Sequence, residues 1–292
     1  MKTTFTVDDM TIHRIVEDEK GYTPALEFLP GLSKDVLEEN RGWMQSMGAL
    51  NPVDDTLVLC FQSYVVRTPH HTVLVDSCIG NDKTRPARAA WNGKQDGNYM
   101  KALNAAGIGV EDIDYVMCTH LPVDHVGWNT KLENGRWVPT FPKARYLFSK
   151  TEYDYWEAES AKTPIECIVD SVLPIVAARR ADLITSADAV NDHIRLMPTP
   201  GHTIDHFAVG LGRNTDKAVI TGDLIHSPLQ AKYPELAMRV DYDGKQGAAT
   251  RRAFLEKYCD TDTLCCTAHF PSPSAGHIKR WGNGFRCDIV RD

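Results

Sequence analysis

Residues 115–118, Tyr-Val-Met-Cys, form an apolar run that stops at Thr119-His120-Leu121-Pro122-Val123-Asp124-His125-Val126-Gly127. The run predicts a buried strand. This stretch constrains the chain more than any other, because a strand that delivers imidazoles and a carboxylate into its following loop is a candidate metal site. Neutral His and ionised Asp are common zinc ligands. Three further donors stand in similar settings. His202 follows Pro198-Thr199-Pro200-Gly201 just past a strand-like run at 194–197, and Asp223 follows Thr221-Gly222 just past a run at 218–221. His269 follows Ala268 just past a run at 263–267. In the first two, Gly or Pro sets the turn.

Further strands are expected at 11–16, 56–61, 64–67, 72–75, 145–148 and 206–211. Helices are expected at 33–47, at 98–106 where Gly107 stops it, at 152–158 and at 247–258. A helix at 165–178 opens after Pro164, and Pro174 is expected to kink or shorten it. Residues 23–52, with their Pro, Gly and acidic residues, read as a surface excursion that covers a site as a lid or mediates dimer contacts. No repeat, low-complexity tract or linker interrupts the chain, so a single domain over 1–292 is expected. Two strand-rich halves with interspersed helices suggest an α+β fold with two sheets packed face to face and helices outside.

Thr119-His120-Leu121, Asp124-His125-Val126-Gly127, Pro200-Gly201-His202-Thr203, Thr221-Gly222-Asp223 and Ala268-His269-Phe270 resemble, in order, the motifs of the metallo-β-lactamase superfamily. One match would be weak, because Gly-His and Gly-Asp are common turn elements; five in order are specific. The resemblance implies a four-layered αβ/βα sandwich in which strand ends converge on one pocket. It also implies a ligand set. His120 and His202 would serve one metal position, Asp124, His125 and His269 the other, and Asp223 would bridge them. The chain departs from the family's His-x-His-x-Asp-His at Pro122, which stands where the second His belongs and has no donor atom. A single ion on Asp124, His125, His269 and Asp223 therefore ranks first, a dinuclear site with a weakened first ion second, and a metal-free protein third.

The implied cofactor is zinc, one or two ions, or another divalent metal. Two such ions, roughly 3.5–4 Å apart, would activate water and polarise a carbonyl or phosphoryl oxygen. Asp124 and Asp223 are the expected catalytic carboxylates, and Asp124 would orient or deprotonate the attacking water if its metal is absent. The continuations after His125 and Asp223 resemble the lactonase, esterase and organophosphate-hydrolase branch of the superfamily. The implied function is metal-dependent hydrolysis of an ester, lactone or related bond in a small molecule. The alternatives are a catalytically impaired small-molecule binding protein, which Pro122 favours, and a phosphotriesterase, dehalogenase or thioesterase.

Other residues carry two readings each. His13, His70, His71, His193, His206 and His277 read as satisfied surface or core residues, whereas His226 either orients a ligand or belongs to a turn. Asp76 either hydrogen-bonds a ligand His or caps a turn. Trp91, Trp128, Asn129, Trp137, Phe141, Tyr153 and Trp156 line an apolar pocket or belong to the core. Lys83 and Arg85 anchor an anionic group or, more commonly for such charges, sit in a solvated turn. The net charge of −7 argues weakly against nucleic acid as the main partner and mostly serves solubility, and a small-molecule substrate is expected. No apolar stretch is long enough to span a bilayer, and the N-terminus lacks the apolar core of a signal peptide. A cytoplasmic protein, no membrane partner and a homodimer through 23–52 are the matching expectations. The eight cysteines contain no C-x-x-C pair and read as reduced thiols.

Overall fold

Parallel pairing decides where the functional loops emerge. The computed structural model describes residues 3–188 and 190–290. Its strands are β1 (Thr4–Val7), β2 (Met10–Pro24), β3 (Thr56–Arg67), β4 (Thr72–Val75), β5 (Tyr115–Met117), β6 (Thr130–Glu133), β7 (Arg136–Pro139), β8 (Arg145–Ser149) and β9 (Ala181–Ile184), then β10 (Ile194–Pro198), β11 (Phe207–Leu211), β12 (Ala218–Ile220), β13 (Leu264–Cys266), β14 (Ala275–Trp281) and β15 (Gly284–Ile289). Its helices are α1 (Ala25–Phe28), α2 (Lys34–Ser46), α3 (Asn98–Ala105), α4 (Lys150–Lys162), α5 (Leu173–Ala177), α6 (Pro228–Lys232) and α7 (Gly244–Tyr258). The chain divides into two compact units. The His120 unit comprises Thr3–Asp18 and Phe61–Asp188, and the His202 unit comprises Glu19–Cys60 and residues 190–290.

The sheet of the His120 unit has the order β1-β2-β3-β4-β5-β8-β9. Strands β4, β5, β8 and β9 are parallel neighbours, with Val75 paired to Met117 and Met117 to Leu147. Their carboxyl ends therefore share one edge, and the loops after β4 and β5 leave from it side by side. The two runs expected at 56–61 and 64–67 form one strand, because the polar residues between them are satisfied within the core. Gln62 accepts a hydrogen bond from Arg14 Nε at 2.7 Å, and Ser63 meets the Tyr99 hydroxyl at 3.2 Å. The hairpin β6–β7 was not among the expected elements. Its turn, Asn134-Gly135, has both residues at positive φ (51° and 75°), and an Asn-Gly pair is the usual signal for such a turn.

The expected helix at 165–178 is broken. A π-helical turn covers Ile168–Val172, where Leu173 N–H donates to the Ile168 carbonyl, and α5 begins beside Pro174. Proline has no N–H, so the ordinary i→i−4 ladder cannot run through it.

In the His202 unit the sheet order is β10-β11-β12-β13-β14-β15, with β12 and β13 parallel and the other pairs antiparallel. Phe254, Leu255 and Tyr258 of α7 and Ala231 of α6 pack in one buried cluster with Ala208, Val219, Cys265, Ile278 and Phe285 of the strands. Helix α7 starts where the Asp243 side chain accepts from the N–H groups of Lys245 and Gln246. The excursion at 23–52 is fastened to this unit. Its helix α2 begins at the N-cap Ser33 and buries Leu37, Asn40 and Met44. Trp43 meets Trp281 edge-on at 5.1 Å, and Lys232 Nζ lies 4.2 Å from the Trp281 ring while donating to Asn40 at 2.5 Å. Among the described residues, no helix is long and apolar enough to cross a membrane.

Candidate metal centre

Each unit carries one cluster of donors. In the His120 unit the cluster rises from the loop after β5, and its organiser is Asp76, one residue past β4. Asp76 accepts from Thr119 N–H at 2.7 Å and from the Thr119 hydroxyl at 3.0 Å. It also accepts from His125 Nδ1 at 2.9 Å. Because the hydroxyl proton goes to Asp76, Thr119 Oγ1 is left to accept from His120 Nδ1 at 2.9 Å. One carboxylate thus sets the tautomer of both rings, with each lone pair on Nε2. The two buried rings lie with centroids 4.2 Å apart. Asp124 is the more exposed member of this cluster (16% against 2% for His125), and its carboxylate is 4.0 Å from His125 Nε2.

The motif's Gly127 has a steric role. The 125–128 segment is zipped to residues 77–78 by Ser77 N–H to His125 O, Gly127 N–H to Cys78 O and Trp128 N–H to Ser77 O, each at 2.7 Å. A Cβ at Gly127 would lie 1.9 Å from the Ile79 carbonyl oxygen, so only glycine permits the approach. Pro122 opens the turn that presents His125, whose N–H donates to the Pro122 carbonyl at 3.1 Å. The turn is closed through the Pro122 carbonyl, and the proline ring offers no donor atom to the cluster.

In the His202 unit, β12 and β13 run parallel with Ile220 opposite Cys266, and Asp223 and His269 each follow three residues later. His202 sits on the β10–β11 connection, which turns at the same edge because β11 runs antiparallel to β12. His269 Nδ1 donates to the Cys60 carbonyl at 2.9 Å, and His202 Nδ1 donates to Asp241 at 2.7 Å. Both rings therefore aim the Nε2 lone pair at Asp223. His269 Nε2 is 2.9 Å from Asp223 Oδ1, and His202 Nε2 is 3.4 Å from Oδ2. Acceptor facing acceptor at these distances is repulsive unless a metal ion or a proton stands between them. The donor set fits a divalent metal ion, since imidazole nitrogens locked on Nδ1 with a shared carboxylate are zinc-type ligands.

The supports of this cluster come from far along the chain. Buried Arg251 of α7 donates to the carbonyls of Leu224 (2.8 Å), Pro234 (2.8 Å) and Leu236 (2.9 Å), and its guanidinium is 3.9 Å from Asp241. It thereby holds the loop that carries Asp241. Gly201, at φ +129°, lies so close to α7 that a Cβ would fall 2.2 Å from Gly247 N. His206 accepts from Asp223 N–H at 2.9 Å through Nε2 while its Nδ1 meets Thr199 Oγ1 at 2.7 Å. His206 is expected to be a satisfied surface or core residue, and it is buried, yet it also fixes the backbone of Asp223. His226 Nε2 is 3.1 Å from Asp223 Oδ2, and its ring stacks on His269 at 5.3 Å. Burial pushes the His226 imidazole down to about 4, with Asp223 acting in the opposite direction. Asp241, His206 and Arg251 had no local signal in the sequence, since no motif contains them.

Two other expectations resolve toward structure. Lys83 and Arg85 do not sit in a solvated turn and are not open to an anion. Both are buried, Arg85 in a bidentate pair with Asp170 (2.7 and 3.0 Å) and Lys83 on Thr130 Oγ1 (2.6 Å) over the Trp137 ring (3.6 Å). Burial pulls the Lys83 amine down to about 8, with Asp170 opposing. Among the aromatic residues, Trp128 donates to Glu17 at 2.8 Å and stacks on Tyr99, Trp91 meets Phe61 edge-on, and Phe141 is fully buried. These are core residues of the His120 unit.

Comparison with known proteins bears on the fold. The family model of the metallo-beta-lactamase superfamily matches residues 62–269. Among solved structures, a hydrolase of the beta lactamase superfamily, AbOPH, is similar at TM-score 0.82 and 22% identity over 99% of this chain and 97% of that one. AidC, a dizinc quorum-quenching lactonase solved with a product, is similar at TM-score 0.80 and 19% identity over 99% and 97%. A probable metal-dependent hydrolase from Staphylococcus aureus is similar at TM-score 0.75 and 18% identity over 99% of both chains. No curated protein matches the sequence. The fold is the mixed α/β metallo-β-lactamase fold that the motifs implied.

Proposed function

This chain belongs to the metallo-beta-lactamase superfamily, and on that premise we propose that it is a metal-dependent hydrolase of small-molecule esters or lactones. The observation that carries the reading is the pair of Nε2 lone pairs, on His202 and His269, aimed at the two oxygens of Asp223. We assign His120, Asp124 and His125 in the His120 unit, and His202, Asp223 and His269 in the His202 unit, as metal ligands, on the motifs and on the matching Nδ1 anchors of the four rings. These residues would hold a divalent ion, zinc by the chemistry of the donors, and such an ion would supply a water of lowered pKa and polarisation of the scissile carbonyl.

The chain's own groups supply the rest. Asp223 presents its two oxygens to rings on either side, which suits a bridging carboxylate. Asp124 is the most exposed carboxylate of its cluster, which supports assigning it to orient or deprotonate the attacking water. Burial of the four rings excludes bulk water from the donors. The lactone and ester preference draws support from the fold shared with a lactonase and other hydrolases. The same reading takes a small molecule rather than nucleic acid or a membrane as partner, places the protein in the cytoplasm and allows a homodimer.

A second reading rests on Pro122. With one imidazole missing, the protein would bind a small molecule without cleaving it. Metal content per chain, measured on protein purified without chelator and compared with Pro122→His, separates the two. One ion in the parent and two in the variant, with turnover of an ester, lactone, thioester or phosphotriester panel, supports the hydrolase. Protein that retains no metal in either form refutes it.

A further inference from the structure

Near Asp223 stands one imidazole that the motifs leave without a role. His120, His125, His202 and His269 each place Nδ1 on an acceptor: Thr119 Oγ1, Asp76, Asp241 and the Cys60 carbonyl. Each therefore carries its proton on Nδ1 and its lone pair on Nε2, the form that binds a metal ion. His226 is arranged the other way round. Its Nδ1 is buried and meets no hydrogen-bond partner among the described residues, whereas its Nε2 stands 3.1 Å from Asp223 Oδ2. A neutral ring so placed keeps its proton on Nε2 and donates it to the carboxylate.

We propose that His226 is a positioning residue, not a metal ligand, and that its Nε2–H locks the Asp223 carboxylate in the orientation that serves His202 and His269. Proximity alone would count it as a ligand, since donor atoms of Asp223, His226 and His269 all lie within 4.8 Å of one another. Turning Nε2 to an ion would move the proton to Nδ1, where a buried donor without an acceptor costs about 1–3 kcal/mol. None of the four anchored rings faces that penalty. The ring is also held in place. Phe28 meets it edge-on at 5.6 Å, His269 stacks on it, and its backbone N–H donates to Gln230 at 2.9 Å. The inference rests on the metallohydrolase reading for its purpose, though not for its tautomer.

The experiment is 15N NMR of histidine-labelled protein, before and after addition of zinc, with His226→Phe, His226→Gln and His269→Ala alongside. Metal content and the visible spectrum of the cobalt-loaded forms are read on the same samples. A protonated Nε2 for His226 in both states is expected, with protonated Nδ1 in the other four rings. His226→Phe is expected to keep the ion count of the parent, weaken binding about 10-fold and shift the cobalt bands. His226→Gln, whose amide still donates, restores both. His269→Ala loses an ion. Zinc-induced transfer of the His226 proton to Nδ1, or loss of an ion in the His226 variants as in His269→Ala, would make His226 a ligand and overturn the proposal. His226→Phe indistinguishable from the parent overturns it as well. A parent that takes up no zinc, with the His226 tautomer as expected, defeats the hydrolase reading and leaves the hydrogen bond standing.

Discussion

In the His120 unit a single carboxylate reaches both rings of the cluster, His125 directly and His120 through the Thr119 hydroxyl. It stands at the end of β4, hydrogen-bonded in parallel to the β5 strand that leads to the rings. In the His202 unit each ring has its own anchor, and the anchors lie on separate pieces of chain. Asp241 belongs to a loop suspended from Arg251, and Cys60 offers a carbonyl from β3. A shared anchor just past a strand makes the orientation of the first pair of rings stand or fall together. Separate anchors let the second pair lose orientation one at a time, and make one of them depend on a loop.

Mutation can break that contrast. Asp76→Ala should do the most damage, because it strands Thr119 and both rings. Zinc affinity should fall about 100-fold and stability by about 3 kcal/mol, read by chelator competition and urea unfolding. Asp241→Ala should weaken zinc about 10-fold, with Asp241→Asn intermediate, since only His202 loses its anchor. If Asp241→Ala matches Asp76→Ala, the distinction between shared and separate anchors is wrong. Arg251→Met acts on His202 one step further away and should weaken zinc only about threefold, below the range for a direct anchor. An unchanged affinity in a folded Arg251→Met protein would free the Asp241 loop from Arg251.

Lys83→Met should leave zinc binding alone, since Lys83 touches neither cluster, and should change only the pH dependence of stability. Burial, which disfavours the charged form, pulls the native amine from its ordinary 10.5 down to about 8. Between those values the unfolded chain holds a proton that the native chain has released, so stability rises with pH across that window. Below it, both states are protonated and the gain is absent. The difference in unfolding free energy, parent minus Lys83→Met, should therefore climb from pH 8 to 10.5. A flat difference would mean that the buried amine keeps its ordinary pKa.

Much of the frame was legible beforehand because it depends on neighbours in sequence. The strand at 72–75 and the helix at 98–106 fall where apolar runs and Gly107 place them, within a residue. The donors His202 and Asp223 follow turns built by Gly201 and Gly222, both at positive φ. The β6–β7 hairpin has a local signal too, in the positive-φ pair Asn134-Gly135. Lys83 and Arg85 looked like turn charges because Asp170, which takes them into the core, lies more than eighty residues on (85 from Arg85). The break at Pro174 was foreseeable, but not that a π-helical turn would absorb it.

The sequence by itself determined which atoms are available to a metal: four imidazoles and two carboxylates at strand ends, and none at Pro122. Side-chain chemistry and turn geometry are local properties, so adjacent residues suffice to announce them. Which nitrogen His125, His202 and His269 offer was decided only by the tertiary structure. The acceptors that settle it lie 49 residues from His125, 39 from His202 and 209 from His269. An imidazole has two nearly equivalent nitrogens, and only a hydrogen-bond partner brought there by folding makes one of them the donor and the other the ligand.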